Sequence, residues 1–330
     1  MYKPPVKPDI SVIICHHAGS LILRCLKSLE TAKGNFEIIL VTSMPEFNYQ
    51  MSNLTLLREE GGPAHKRNVG AKIARGKYLV FLDDDVEIRE DCLSEFLIFL
   101  QDRTACGMAF AKILKMDRRD VFDDCGSWLT WTGFLWARAG NDIQDIGQYN
   151  DPQPILGSKS ATCMIRSDVF HQVGKFDEDM YILGEETDLA WRCWHAGYEV
   201  WYAPSAVSWH AFGTSLKPPA EYYSLSRIHY LGARNYCWLL LANLPLTTLA
   251  YTLPTHIFVW LVAGLGFLLK GEFVRGGLIL RGILHGLGSW GKICSKRRLV
   301  WQLRHPYSYS PPASYYLKRL TRYLIQGLHG

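Results

Sequence analysis

Acid is almost missing from the last third of this sequence. Beyond Phe212 the only carboxylate side chains are Glu221 and Glu272, set against many Lys and Arg. The formal net charge of +5 therefore concentrates at the C-terminal end, which excludes an evenly mixed solvated surface there. Pairing signals for cysteine are missing as well. The nine Cys show no C-x-x-C and no regular spacing, which excludes a disulfide framework or zinc knuckle and predicts reduced, mostly buried thiols in a cytosolic compartment. No internal repeat or low-complexity segment is found. The start, "MYKPPVKPDISVIICHH", lacks the charged, apolar, small-residue order of a secretory signal, so none is expected.

What remains suits a globular chain, with 48% apolar and 20% charged residues over a length of 330. That length favours one large α/β domain with an appendage. "DISVIICHH" is a β-branched run that reads as a buried strand, and "SLILRCLKSLETA" follows at helical spacing. "NFEIILVTS" is the next strand. "GGPAHKRNVGAKIARG" gives a loop, a helix and a glycine stop, and "KYLVFLDDD" is read as the third strand. This rhythm implies parallel pairing with right-handed crossovers, hence the α/β class. In such open sheets ligands gather at the carboxyl ends of the strands. Asp83, Asp84 and Asp85 lie at such an end, and three adjacent carboxylates are costly there unless a cation, a donor-rich loop or water takes up their charge.

A second acidic cluster opens the segment "LGEETDLAWRCWHAGYEVWYAP". Glu185, Glu186 and Asp188 fall in or just before the first turn of a helix, where the helix dipole favours anions. Asp188 and Arg192 are spaced as an intrahelical pair. Lys66, Arg67 and Asn68 stand at the mouth of an earlier helix, where they meet a base or diphosphate or form a solvated basic turn. Trp128, Trp131 and Trp136 occupy an irregular, glycine-rich stretch, where aromatic faces serve a sugar or fill a core.

The order "ISVII", "EIILV", "KRNVGAKIARGKYLVFLDDDVEI", "MIRSDVFHQVGKFDE" and "GEETDLAWRCWHAGYEVWYAPSAVSWH" resembles the family 2 glycosyltransferases with a GT-A fold, over about residues 9–213. It looks most like the bacterial branch that includes rhamnosyl- and galactofuranosyl-transferase-like proteins. The resemblance implies that the triple Asp is a D-x-D motif for Mg²⁺ or Mn²⁺, with Asp85 as direct ligand, Asp83 at the metal site nearer the ribose or a metal-bound water, and Asp84 toward the nucleotide. His210 falls at the family's metal or pyrophosphate position. It also implies a catalytic base at Glu186, with Glu185 as the alternative, in an inverting transfer from a UDP-, dTDP- or GDP-linked sugar to a glycan or lipid-linked acceptor. Lys66 and Arg67 would then serve the donor. Many members carry an Asp at the end of the second strand to bind the base; here Thr42 and Ser43 stand instead, so Thr42 is the contact expected. Where members read Glu-Asp, this chain has Glu185-Glu186. The rival readings are a sugar-phosphate nucleotidyltransferase, which would want a glycine-rich loop where this chain has "CHHAGSL", and a non-catalytic membrane scaffold.

From Tyr236 to Leu269 no Asp, Glu, Lys or Arg occurs, a run of 34 residues. One membrane-spanning helix needs about 20 residues and two with a turn need over about 40. Pro245 and Pro254 cut the run, and both flanks are basic, which predicts a re-entrant or in-plane hairpin of two short helices rather than a crossing. Residues 272–298 then read as a basic amphipathic helix, with Arg275, Arg281, His285 and Lys292 on one side and Ile279, Leu280, Ile283, Leu284 and Leu287 on the other. The expectation is a catalytic domain over 1–215 and a helical membrane-associated region over 216–330. That region would hold the protein on the cytoplasmic face of the cell membrane, with lipid rather than nucleic acid as partner. Packing of the tail on the catalytic domain or in a homo-oligomer is the duller alternative.

Overall fold

Ile10–His16 (β1) is apolar along almost its whole length because it has no solvent face. Val12 and Ile14 pack on one side of the sheet and Ile13 on the other. The computed structural model describes residues 7–17, 19–139, 142–211 and 225–303. After β1 come α1 (Leu21–Glu30), β2 (Phe36–Thr42), β3 (Leu54–Arg58), α2 (Pro63–Ile73), β4 (Tyr78–Asp83), the short β5 (Val86–Ile88), α3 (Cys92–Asp102) and β6 (Cys106–Lys115). β1 pairs in parallel with both β2 and β4. The reading of "KYLVFLDDD" as the third strand needs correction, because β3 precedes it. "LTLLR" lies at the sheet edge beside β2 and is only half-buried, so its apolar pattern is weak.

The second half adds β7 (Phe122–Asp124), the hairpin β8 (Ser127–Leu129) and β9 (Leu135–Ala137), β10 (Gln153–Pro154), β11 (Thr162–Arg166), α4 (Ser167–Gln172), α5 (Glu185–His195) and β12 (Glu199–His210). The large mixed sheet runs β10-β12-β6-β11-β4-β1-β2-β3, with β5 on β12 and β7 on β6 completing its ten strands. β11 is antiparallel to both β4 and β6, while β12 runs parallel to β6. One core layer lies under α1 and α3, the other under α2, α4 and α5, so helices cover both faces. All nine cysteines are free, and seven of them are buried.

Four helices follow: α6 (Leu225–Asn243), α7 (Leu246–Leu269), α8 (Phe273–Gly288) and α9 (Trp290–Gln302). The expected hairpin of two short helices is not what forms. The first part of the uncharged run belongs to α6, whose Trp238, Leu239, Leu240 and Leu241 are buried with Trp191 of α5 and Leu156. The second part is one unbroken helix, α7, with Pro254 inside it. Proline costs about 3 kcal/mol in a helix interior, but buried anchors flank it here: Leu249 and Thr252 on one side, His256 on the other. His256 Nδ1 lies 3.1 Å from the carbonyl of Thr132 in the β8–β9 turn.

The expected amphipathic helix is likewise divided, at Ser289. Lys292 therefore leaves the face of Arg275 and Arg281, and pairs with Asp179 at 2.5 Å. The apolar side is split too. Ile279 and Ile283 are buried beside Ala233 of α6, whereas Leu280 and Leu284 are exposed. The glycines of α8 are contact points: a Cβ at Gly282 would stand 2.5 Å from the carbonyl oxygen of Tyr230, and one at Gly286 2.8 Å from Cβ of Cys237. They let α8 close onto α6. The expected boundary at 215/216, Glu221 and residues 304–330 lie outside the described residues.

Candidate active site

The three consecutive aspartates at the end of β4 have three different fates. Asp83 accepts from Arg67 Nη2 at 2.8 Å. Asp84 turns under the sheet edge, its Oδ2 2.7 Å from Nδ1 of the buried His16. Burial raises the Asp84 carboxyl above its usual range even though His16 works the other way. Asp85 faces His210, with Oδ1 3.3 Å from Nε2. The crowding is thus relieved residue by residue, each carboxylate having a cationic or imidazole partner of its own.

Sheet register brings His210 to this spot from far along the chain. β5 pairs antiparallel with the end of β12, so His210 lies opposite Val86, and the amide of Ala211 donates to the carbonyl of Asp85 at 3.0 Å. One ligand atom each from Asp83, Asp85 and His210 lie within 4.8 Å of one another. Two carboxylate oxygens and one imidazole nitrogen at that spacing fit a divalent cation such as Mg²⁺ or Mn²⁺ that fills its other positions from phosphate and water. Behind them stands Asp123, which sequence reasoning did not single out. Its Oδ2 takes His210 Nδ1 at 2.9 Å, and Lys159 Nζ holds its Oδ1 at 2.6 Å. A carboxylate behind a ligating imidazole fixes its tautomer and leaves Nε2 toward the metal position. Burial opposes charge on His210, but Asp85 and Asp123 outweigh it and push the imidazole up to about 10. A cation entering beside Nε2 must displace that proton, so metal uptake strengthens as pH rises.

The second acidic cluster sits across Arg67, itself 3% exposed. Arg67 Nη1 donates to Glu185 Oε1 at 2.8 Å while Nη2 holds Asp83, so one guanidinium ties the start of α5 to the end of β4. Glu185 is buried and has this cation as partner. Glu186, beside it, is half-buried; burial first and then the charge of Glu185 raise its carboxyl well above the usual range. The two glutamates are thereby differentiated: one is spent on a buried ion pair with arginine, the other is made more basic.

The remaining expected contacts lie deeper. Lys66 is 2% exposed and donates to the carbonyl of His16 at 2.8 Å and to Ser43 Oγ at 2.5 Å. Thr42 is fully buried, and its hydroxyl accepts from the amide of Met44 at 3.0 Å. Asn68 ties α2 to the carbonyl of Phe176 and to Glu178. Asp188 and Arg192 do pair within α5, and Asn243 of α6 donates to the same carboxylate at 3.1 Å. Trp128 is core, Trp136 half-buried, and Trp131 is 65% exposed at the β8–β9 turn.

Comparison with known proteins agrees with this architecture. The family model for Glycosyl transferase family 2 matches residues 11–173. A pre-mycofactocin glycosyltransferase of Mycobacterium tuberculosis is 29% identical over 160 residues, covering 47% of this chain and 31% of its own. Polypeptide N-acetylgalactosaminyltransferase 3 of Drosophila melanogaster is 25% identical over 236 residues, covering 63% of this chain and 35% of its own. The chain thus spans about a third of the length of these relatives. Among solved structures, GalNAc-T7 with UDP, GalNAc and Mn²⁺ superposes with a TM-score of 0.54 at 15% identity, over 72% of this chain and 48% of that one. The 1–349 fragment of TarS from S. aureus gives 0.50 at 17% identity, over 89% of this chain and 90% of that one. At such identity the likeness speaks to fold alone, and the fold is GT-A.

Proposed function

We propose that this chain, whose residues 11–173 match the Glycosyl transferase family 2 model, is a glycosyltransferase that transfers a sugar from a nucleotide-diphosphate donor to an acceptor hydroxyl with inversion, at the cytoplasmic face of a membrane. The observation that carries the proposal is the pairing of two differentiated sites on one buried arginine. Asp83, Asp85 and His210 offer their ligand atoms within 4.8 Å at the end of β4, and Glu186 stands on the other side of Arg67 with a raised proton affinity.

In this reading Asp83, Asp85 and His210 would hold Mg²⁺ or Mn²⁺, which when bound neutralises charge on the departing diphosphate. Asp123 keeps the His210 imidazole turned toward that position, and Arg67 holds the Asp83 carboxylate in place beside it. Glu186 accepts the proton of the acceptor hydroxyl as its oxygen bonds to the anomeric carbon and the bond from that carbon to the diphosphate breaks. A raised proton affinity suits a base that must work near neutral pH. Glu185, spent on Arg67, positions its neighbour. Lys66 and Thr42 support the strand ends from beneath, which revises their expected role as donor contacts.

The membrane part rests on α7. It is long and apolar enough to cross a bilayer, and 17% of its most apolar window is buried. Yet its buried stripe of Leu249, Thr252 and His256 lies against the catalytic domain. A perpendicular α7 would drag the β8–β9 turn into hydrocarbon, so the helix fits an in-plane position with Phe258, Val262 and Leu265 toward lipid. An enzyme moored in this way suits a lipid-linked glycan acceptor of the kind bacterial polysaccharide assembly uses.

Release of free nucleotide diphosphate from UDP-, dTDP- and GDP-linked sugars, assayed with membranes and Mn²⁺ or Mg²⁺, tests the proposal. Metal-dependent diphosphate release that rises with added membrane lipids supports it. Pyrophosphate release would favour a nucleotidyltransferase, and donor binding without turnover a scaffold.

A further inference from the structure

We propose that Asn235 of α6 is a positioning residue for the transfer reaction, fixing the strained loop from which Glu186 projects; this rests on Glu186 as base. Asn235 is 1% exposed, and the two hydrogens of its Nδ2 are shared among three carbonyls of one loop: Met180 at 3.0 Å, Ile182 at 2.9 Å and Leu183 at 2.8 Å. Arg234, next in sequence and also buried, adds Nη2 contacts to the carbonyls of Asp179 at 2.9 Å and Met180 at 3.2 Å. Five hydrogen bonds from two adjacent α6 residues therefore end on residues 179–183, and α5 with its glutamate pair starts at Glu185.

The loop needs holding because its backbone is under strain. Tyr181 has φ 65° and ψ −65°, and the amide of Ile182 reaches back to the carbonyl of Met180 at 2.8 Å, which is the rare form of the γ-turn. Leu183, another residue with a Cβ, has φ 73°, and Gly184 has φ 93°. Side-chain-bearing residues with positive φ persist only where their surroundings over-determine them. No side chain caps α5 at Gly184. The direction in which Glu185 and Glu186 leave the loop is therefore set by the carbonyls that Asn235 gathers.

A second clamp stands one turn further along α5. Asn243, fully buried, donates to Asp188 Oδ1 at 3.1 Å. The glutamate pair is thus bracketed by two asparagines of one helix, and α6 is also the helix that leads directly into α7. A misplacement of about 1 Å in a reacting group can cost on the order of a hundredfold in rate.

The test compares the full-length protein with Asn235→Ala, Asn235→Asp, Glu186→Gln and Leu26→Ala, the last a core truncation under α1 on the far face of the sheet. Transfer is measured with whichever of the UDP-, dTDP- or GDP-linked sugars turns over, and amide exchange across residues 180–187 is followed without any substrate. Asn235→Ala is expected to lower kcat by about 10- to 100-fold with donor KM within about twofold, and to speed exchange locally. Asn235→Asp, which sets a carboxylate against three carbonyls, should do at least as much. Leu26→Ala should lower Tm comparably yet leave kcat within about twofold. Unchanged kcat or unchanged local exchange in Asn235→Ala would overturn the inference alone. So would an equal kcat loss in Leu26→Ala at matched Tm. Wild-type rates in Glu186→Gln would instead overturn the choice of base, and this inference with it.

Discussion

Between Ile10 and Ala211 the charges around the site are paired inward: Asp84 with His16, Asp83 and Glu185 with Arg67, His210 with Asp85 and Asp123. From Leu225 to Leu303 the arrangement is reversed, with Phe258, Leu265, Leu269 and Phe273 turned outward. The basic residues there divide into two groups. Arg234, Lys292, Lys296 and Arg297 reach the catalytic domain or the ends of neighbouring helices, by contacts to Asp179, Asp177 and the carbonyls of Met180, Leu241 and Leu244. Arg275 and Arg281 remain on the outer side of α8. A tail that looks uniformly basic in sequence is therefore part anchor and part exposed surface, the part that the proposal turns toward lipid. The first region owes its order to charges that cancel within the protein, whereas the second exposes a run of large apolar side chains, with Arg281 beside them and Arg275 paired to Glu272. The two should fail in different ways.

Removing a charge the reaction uses should have the largest effect. Glu186→Gln keeps shape but cannot take the proton, so transfer should fall by about 10² to 10⁴ while donor binding persists. Because burial and Glu185 raise this carboxyl, wild-type activity should already decline as pH falls toward it, above the usual carboxylate range, and rise as pH increases until Glu186 is ionised. At saturating metal, which removes the pH dependence of uptake at His210, Glu186→Gln should abolish that limb of the profile; a dead Glu185→Gln with an active Glu186→Gln would exchange their roles. Asp85→Ala should cost about a hundredfold with the fold intact, since one hard ligand is lost. Full turnover in excess chelator would break the metal assignment.

Next in size comes a change that strands a charge instead of removing a reagent. Arg67→Met leaves Glu185 buried with no cation and Asp83 without its clamp, and breaking a buried pair in this manner costs about 3–5 kcal/mol. Chemical denaturation should show that loss whether or not donor and metal are present. A loss under about 1 kcal/mol would mean that the Glu185–Arg67–Asp83 bridge does not organise the site.

How legible this was from sequence depends on which physics set each element. The strand-helix rhythm, the acid at the end of β4 and the glutamates opening α5 come from local patterns, and they stand where those patterns put them. β3 escaped because an edge strand is only half-buried and its alternation is blurred. Asp123 escaped because it meets His210 only through the pairing of β7 and β12 with β6, a register no window of sequence contains. The tail misled for a related reason: lack of charge marks burial in protein and exposed apolar surface alike, and α6 is the first kind while most of α7 is the second. Gly282 and Gly286, poor helix formers by propensity, are the docking face of α8.

The lipid-facing side should respond in smaller steps. Leu265→Glu places a charge on the exposed apolar face of α7 and should lower partition onto vesicles of any headgroup by about tenfold or more, the scale of one buried leucine.

Arg281→Ser should have the smallest effect of all, and it isolates the electrostatic part. Arg281 is exposed on α8, its guanidinium 5.8 Å from the Tyr230 ring centre, and no acidic residue of α8 competes for it, because that helix has none. One basic residue near an anionic surface contributes about 1 kcal/mol, roughly fivefold in partition, and the field behind it fades within a Debye length of about 8 Å at physiological salt. The expected result is therefore about fivefold weaker binding to vesicles rich in phosphatidylserine at low salt, a smaller loss at high salt, and no change on phosphatidylcholine alone. Lys292→Ser is the matched control. It removes the same charge from a residue already paired with Asp179, and should leave partition unchanged if the division between anchoring and outward-facing cations is correct. Equal losses from the two variants would erase that division and make the whole tail one undifferentiated basic surface.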